Sequence, residues 1–506
     1  MSNRPPRWLI ALIVLISLPL LLPFLYVIER AADVGLARSI ELLWRPRMWE
    51  LLSNTLLLMV FVTLFAIILG TLCAFLLERY RFLGNGFFQV TMTLPLCIPA
   101  FVSCFTWISL TFRVEGLWGT IGIMTLSSFP LAYLPVAATL KRLDRSLEEV
   151  SLSLAKSHAY TFWHAIFPQL KPAIGSSVLL IALHMLVDFG AVSILNYQTF
   201  TTAIFQEYEM AFNNNTAALL SGVLMVICIF VVMGEIRFRG TQTLYQSGKG
   251  VIRPYPLKTL SAGKQILVVS FFTTIFVLSI GVPITMLIYW LTVGSSIEGA
   301  VDFGEFFTAF TNSLTISTLG ATLTVICALP LVWAAVRYRS KLTIWLDRIP
   351  YLLHAVPGLV IALSLVFFTI NYAYSLYQTF AMVIVAYFML YLPMAQTTLR
   401  SSLEQMSSNI EKVGQSLGRS NFYIFRTLVI PAMLPGIAAA FALVFLNLMK
   451  ELTATLLLTP NDIKTLSTAV WEYTSDAQYA AATPYAIMLV LFSGIPVFLL
   501  KRYGFK

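Results

Sequence analysis

Residues 147–173 read LEEVSLSLAKSHAYTFWHAIFPQLKPA, and residues 410–436 read IEKVGQSLGRSNFYIFRTLVIPAMLPG. The second stretch begins 263 residues after the first. Apolar residues recur at helical spacing in both: Leu147, Val150, Leu154, Phe162 and Ile166 in one, Ile410, Val413, Leu417 and Ile424 in the other. Ala155 and Gly418 hold the same place, where a turn between two short helices is expected, and glycine suits a tight bend sterically. Pro168 and Pro431 each stand 21 residues after the start of their copy. Each copy lies in a charged stretch between long apolar segments. A linker resting on a bilayer surface has no need of matched spacing in two copies. A docking element presented twice does, and it implies a two-fold partner on one side of a membrane.

Composition sets the solvent. Apolar residues make up 58% of the 506-residue chain, charged residues 11%, and the mean hydropathy is +0.83. So few charges cannot keep the surface of a water-soluble protein of this size wet. The expected spans are residues 8–28, 51–77, 87–111, 119–140, 173–195, 216–234, 266–291, 313–336, 351–370, 378–399, 436–458 and 480–500, each near the length a hydrocarbon core requires. Arg4 and Arg7 precede a first apolar stretch long for a signal peptide, so it is read as a retained span. Pro99, Pro135, Pro357 and Pro393 fall inside spans, where neighbouring helices can satisfy the freed carbonyls.

With the N-terminus in the cytoplasm, the cytoplasmic segments hold 26 of the 33 Lys and Arg but 8 of the 23 Asp and Glu. That is the positive-inside bias. It puts the C-terminal Lys501, Arg502 and Lys506 inside as well. The +10 charge is spread over loops with no basic-aromatic patch, so no nucleic-acid partner is expected. Cys73, Cys97, Cys104, Cys228 and Cys327 have no metal-ligand spacing and read as small buried side chains.

The duplication extends over the whole chain. Asn54-Thr55-Leu56 answers Asn312-Ser313-Leu314, Ile98-Pro99-Ala100 answers Val356-Pro357-Gly358, and Tyr133-Leu134-Pro135 answers Tyr391-Leu392-Pro393, all at an offset of 258. At the loops the offset is 263, and at Thr202-Ala203-Ile204-Phe205 against Thr468-Ala469-Val470-Trp471 it is 266. The expected organisation is a first six-helix domain at 1–240, a cytoplasmic linker at 241–262 and a second six-helix domain at 263–506. An even span count per half makes the repeats parallel, with the pore between them. The fold class is therefore an all-α polytopic membrane protein built of two parallel six-helix repeats.

The paired loops resemble the permease subunits of binding-protein-dependent ABC importers. Their cytoplasmic signature is a Glu-Ala-Ala segment, then a glycine, then an Ile-x-Leu-Pro-like ending. It is matched by Glu148-Glu149-Val150-Ser151, Ala155 and Ile166-Phe167-Pro168, and again by Glu411-Lys412-Val413-Gly414, Gly418 and Val429-Ile430-Pro431. Ala155 replaces the glycine in the first copy and Lys412 an acid in the second, which implies two non-identical docking surfaces. The resemblance covers nearly the whole chain, and the fused form looks most like the ferric-iron branch, with thiamine permeases as close relatives. It implies the type I importer, MetI-like fold and a multi-pass protein of the bacterial inner membrane with both termini cytoplasmic. It further implies two copies of a cytoplasmic ABC ATPase, which would bind ATP and Mg, and a periplasmic substrate-binding protein. This chain would bind no cofactor itself. On this resemblance each loop is a coupling helix. Glu148, Glu149 and Glu411 are assigned to polar contacts with the ATPase, Leu154 and Leu417 to apolar anchoring, Ala155 and Gly418 to the turn, and Pro168 and Pro431 to the point where the chain re-enters the membrane.

Asp188, Lys450 and Glu451 are the charges placed within spans, where charge is costly and usually functional. Asp188 and Glu451 coincide at the offset of 263. They are candidates for the translocation path of a cation. Alternatively, Lys450 neutralises Glu451 and holds two helices together. Residues 196–215, 292–311 and 459–479 are net acidic candidates for docking the binding protein. No enzyme site is expected: Ser247-Gly248-Lys249-Gly250 lacks the phosphate-loop spacing, and His158, His164, His184 and His354 are scattered. The competing readings are a thiamine or phosphonate permease, an ion-coupled secondary transporter and a membrane scaffold.

Overall fold

In the computed structural model, the residues described are 5–143, 149, 151, 153–154, 157–240, 257–293, 302–338, 340–353, 356–407 and 409–504. Among them the chain is helical nearly throughout. The one strand pairing among the described residues is a parallel ladder of Tyr80–Arg81 with Lys258–Thr259. Among the described residues eight helices are long and apolar enough to cross a bilayer, three further apolar stretches are helix pairs bent at a short break, and the apolar helix Tyr479–Gly494 is shorter. Each of the twelve expected segments falls on one of these.

Two of the four intraspan prolines break their helix instead of lying within it. Asn85–Cys97 and Ala100–Leu110 meet at 93°, and Lys341–Leu353 and Gly358–Tyr372 at 106°. The cause is local. Ile98, before Pro99, is pushed out of the helical region to φ −96°, ψ 115°, and Pro99 then opens the next helix. Pro135 and Pro393 do lie inside helices. A different device precedes Pro168 and Pro431. A single π-helical turn, Phe162–Ile166 in one repeat and Phe425–Val429 in the other, leads into them. Widening the turn to i→i+5 bonds relieves the clash of a proline ring with the carbonyl one α-turn back.

The chain packs into two compact units. One comprises Met1–Leu43, Ile204–Met225 and Val301–Val470, the other Trp44–Ala203, Val226–Ala300 and Trp471–Lys506. These units are composed differently from the halves 1–240 and 263–506. The first span of each repeat joins the unit built mainly from the other repeat. In the first unit, Trp8 stacks on Trp333 at 6.2 Å and meets Phe422 edge-on at 5.6 Å, while Arg30 lies over the Phe367 ring at 4.4 Å. In the second unit, Phe272 stacks on Phe82 at 5.5 Å and on Phe88 at 5.2 Å. Each such ring pair adds about 0.5–1.5 kcal/mol beyond the area it buries.

Small residues set the closest crossings, as expected where lipid supplies no hydrophobic drive between helices. A Cβ on Gly70 of helix Pro46–Arg79 would lie 2.6 Å from the Phe129 carbonyl oxygen and 2.8 Å from the Tyr133 nitrogen. Within this unit the helix Phe167–Val187 completes the same cluster, with Ser177 Oγ donating to the Leu131 carbonyl at 3.2 Å. The five cysteines are free, four buried and Cys327 half-buried.

Candidate functional site

The second loop is a helical hairpin. Helix Asn409–Ser416 ends in a turn at Gly418, which takes φ +71°, and Arg419 N–H donates to the Gly414 carbonyl at 3.2 Å. That left-handed closure is sterically open to glycine and costly for most other residues. Ser420 then caps the helix Asn421–Ile424 by accepting from Tyr423 N–H at 3.2 Å. The two arms touch at Gly414, where an added Cβ would stand 2.9 Å from Ile424 Cγ1. In the first loop the corresponding contact is a hydroxyl pair, Ser151 Oγ and Thr161 Oγ1 at 2.8 Å. Glu148 and Ala155 lie outside the described residues. Glu149 is exposed, as are Leu154 at 66% and Leu417 at 72%. Pro168 lies in the first turn of Phe167–Val187, and Pro431 in Ile430–Ala432; in the second repeat the bend into the membrane helix, 71°, comes after Pro431, at Met433.

Glu411 faces its own protein. Its side chain is 10% exposed, and its Oε1 accepts from Arg337 Nε at 2.6 Å while Oε2 accepts from Trp333 Nε1 at 3.3 Å. Arg337 Nη2 also donates to the Met406 carbonyl at 3.1 Å and the Leu403 carbonyl at 3.4 Å. A carboxylate so engaged holds the loop helix to its own protein. The expected contact of Glu411 with an ATPase is not tested by this geometry, which shows the carboxylate engaged by Arg337 and Trp333. Arg337 and Trp333 were not among the expected site residues. The signal was present: Arg79-Tyr80-Arg81 recurs as Arg337-Tyr338-Arg339 at the offset of 258, with Phe75 answering Trp333. The surroundings repeat too. Phe75 meets Phe162 at 5.2 Å and Tyr80 at 6.2 Å, and Trp333 meets Phe425 at 4.6 Å and Tyr338 at 5.4 Å. Arg79 is 4% exposed.

The second cluster lies at the fifth span of each repeat. Both expected spans, 173–195 and 436–458, are interrupted. Helix Phe167–Val187 stops before Asp188, and Leu434–Leu448 stops before Glu451. Short helices Gly190–Ile194 and Thr453–Leu458 follow. The acids start them. Asp188 Oδ1 accepts from Ala191 N–H at 2.9 Å, and Glu451 Oε1 and Oε2 accept from the N–H groups of Ala454 at 3.2 Å and Thr455 at 3.3 Å. Each acid, one residue before the N-cap, thus satisfies N–H groups of the first turn that apolar surroundings would leave orphaned.

The returning chain is pinned by one set of bonds made twice. Thr201 Oγ1 donates to the Asp188 carbonyl at 2.9 Å, and Ser467 Oγ to the Glu451 carbonyl at 2.7 Å. Asn54 Nδ2 reaches the Gln198 carbonyl and Asn312 Nδ2 the Lys464 carbonyl, both at 3.1 Å. Thr55 Oγ1 accepts from Phe200 N–H at 3.1 Å, and Ser313 Oγ from Leu466 N–H at 2.8 Å. The Asn-Thr and Asn-Ser pairs that marked the duplication are thus the anchors of this turn.

The two acids differ in what remains free. Glu451 is 8% exposed, and Oε2 takes a further bond from Thr455 Oγ1 at 3.0 Å. Asp188 Oδ2 lies 4.0 Å from His184 Nε2, one helical turn back, and the His184 side chain is 44% exposed. Lys450 is half-buried. Among the described residues no group of three or more His, Cys, Asp or Glu side chains converges as metal ligands. Of the acidic docking candidates, residues 294–301 lie outside the described set, while Glu305 pairs with Lys464 at 2.9 Å.

Comparison with known proteins bears on this arrangement. Residues 66–236 and 328–503 each match the family of binding-protein-dependent transport system inner membrane components. Both matches begin after the first span of their repeat. The Fe(3+)-transport system permease protein FbpB 2 of Haemophilus influenzae is 80% identical over the full length of both chains. The ferric transport system permease protein FbpB of Actinobacillus pleuropneumoniae is 22% identical over 74% of this chain and 57% of its own. The sulfate transport system permease protein CysT of Escherichia coli is 30% identical over 35% of this chain and 69% of its own.

Proposed function

The chain belongs to the family of binding-protein-dependent transport system inner membrane components, and from that premise we propose that it is the membrane permease of an ATP-driven importer of ferric iron. The observation that carries the transport mechanism is the loop motif repeated in sequence, a hairpin in the second repeat, with an exposed leucine in each copy, Leu154 and Leu417. Two copies of one cytoplasmic ATPase would seat these loops, and ATP and Mg would be bound there. Closure of the ATPase pair would move the loops and rock the membrane helices between outward and inward openings. The charge asymmetry of the loops favours both termini in the cytoplasm. The choice of ferric iron rests on the full-length relative; the sulfate relative aligns to about a third of the chain.

A periplasmic protein that delivers iron leaves the permease without need of a tight metal cage. A weak contact along the path suffices, and Asp188 with His184 supplies it better than Glu451 does. The Glu451 carboxylate is committed to first-turn donors, whereas Asp188 Oδ2 faces an exposed imidazole. Carboxylate and imidazole both suit an iron cation. Asp188→Asn keeps the acceptor for Ala191 N–H and removes the charge. It is expected to lower uptake about tenfold, the effect of about 1.4 kcal/mol at the transport barrier, with little change in the yield of folded protein. Glu451→Ala is expected instead to lower that yield, since losing a first-turn acceptor costs about 0.5–2 kcal/mol. Equal effects of the two substitutions on uptake per folded molecule would contradict this division.

The substrate is tested by reconstituting the chain with its ATPase in proteoliposomes. Candidate periplasmic binding proteins, loaded with ferric iron, thiamine, sulfate or a phosphonate, are added outside. Stimulation of ATP hydrolysis by the iron-loaded protein alone is the expected result. Stimulation only by another loaded protein would remove iron from the proposal.

A further inference from the structure

We infer that Arg337 is the strut through which the second loop hairpin moves the membrane helices. The inference rests on the reading of the hairpin as the ATPase handle and adds how motion leaves it. Three elements meet at one guanidinium. Arg337 is the last residue of helix Phe303–Arg337. Its Nε holds the Glu411 carboxylate on the hairpin. Its Nη2 holds the carbonyls of Leu403 and Met406, at the end of helix Phe380–Gln405. Helix Phe380–Gln405 ends before the hairpin helix Asn409–Ser416 begins, so the guanidinium ties together two helices that are not continuous. A planar, always-charged fork with fixed donor directions makes this junction stiff, as a lysine could not. Trp333 closes the other side by donating to Glu411 Oε2, and its indole packs on Phe425 beyond the hairpin turn.

A displacement of Asn409–Ser416 is thereby passed to two long helices at once. These two helices also pack along each other over much of their length. The same sequence, aromatic residue, three residues, then Arg-Tyr, ends the second span of the first repeat, where Arg79 is buried and the ring contacts of Phe75 match those of Trp333. The arginine and the aromatic residue of the strut therefore have counterparts at the equivalent place in the first repeat. Arg337 acts through the hairpin and touches neither nucleotide nor substrate, so it is a positioning residue.

The test uses the complete complex in proteoliposomes and separates three readouts: ATPase retained on purification, ATP hydrolysis with and without iron-loaded binding protein, and iron taken up per ATP hydrolysed. Arg337→Gln is expected to retain the ATPase, to lose most of the stimulation by loaded binding protein, and to lower iron taken up per ATP at least tenfold. Glu411→Gln leaves the guanidinium on the two carbonyls and keeps an acceptor for Trp333. It is expected to fall between Arg337→Gln and the native complex, and it decides the question if Arg337→Gln does not fold. Trp333→Phe, the residue type found at Phe75, is expected to lower iron per ATP less than threefold. Native iron-to-ATP ratios in folded Arg337→Gln or Glu411→Gln complexes with the ATPase bound would overturn the inference. Failure of the native chain to retain any ATPase would instead sink the reading of the hairpin as a handle.

Discussion

Replacing Leu154 and Leu417 together by aspartate is expected to strip the ATPase from the purified complex and to abolish uptake. Both leucines stand in the repeated loops with about two thirds or more of their surface exposed. An exposed leucine is unremarkable on its own. Here two occur at equivalent places in a duplicated element, next to the turn that Gly418 closes with φ +71°. Seating one leucine in a partner groove is worth about 1.5–3 kcal/mol, roughly a 10- to 150-fold change in affinity. An aspartate in the same groove adds the cost of an unpaired charge held away from water. With two grooves the losses combine, so retention should fall at least a hundredfold, while each single substitution leaves a partly loaded complex. The aspartates lie on surface the permease itself leaves open, so its yield should not change. Purification with a tagged ATPase reads the result. Full retention by the double variant would mean that the loops bind elsewhere or not at all.

The second large effect concerns folding. Gly70→Leu is expected to reduce the yield of folded, monodisperse protein more than tenfold. The space a Cβ would enter is already held by backbone, the Phe129 carbonyl and the Tyr133 nitrogen, at under 3 Å. No rotamer avoids a clash that begins at Cβ, so the helices Pro46–Arg79 and Pro130–Arg142 must separate. Overpacking costs about 1–3 kcal/mol where side chains can yield, and more is expected where backbone stands in the way. Parting them also weakens the contact of both with Phe167–Val187, which carries Asp188 at its end. Gly175→Ala provides the control. Nothing lies within 4 Å of its added Cβ, and alanine is the better helix former by about 0.8–1 kcal/mol. It should express at least as well as the native chain. Size-exclusion profiles in detergent distinguish the two, and equal profiles for Gly70→Leu and the native protein would refute the crossing geometry.

Much of this molecule was legible in its sequence because duplication turns a weak pattern into a strong one. A single Asn-Thr pair means little; Asn54-Thr55 and Asn312-Ser313 in register mark equivalent positions, and both prove to anchor equivalent turns. Gly418 was readable as a turn because only one residue type enters that backbone region freely. What the sequence left unread shares a physical origin. Helical periodicity is local. It places Glu411 on the hairpin but does not say which face meets Arg337, 74 residues earlier. The exchange of first spans between the two packing units is a tertiary choice that apolar periodicity cannot encode. The breaks at Asp188 and Glu451 were hidden because hydropathy runs on through short apolar helices. The acids were conspicuous as intramembrane charges, yet their bonds to Ala191, Ala454 and Thr455 depend on backbone geometry. The repeated Arg-Tyr-Arg ending of the second spans was a readable signal for the strut.

The most direct measurement is uphill accumulation of radioactive ferric iron by sealed proteoliposomes. They would contain this chain and its ATPase, with ATP enclosed, iron-loaded binding protein outside and no ion gradient. Accumulation that follows ATP hydrolysis, and that ceases when the ATPase is left out, is the predicted result. Uphill uptake by vesicles holding this chain alone, energised by a proton or sodium gradient, would contradict the account.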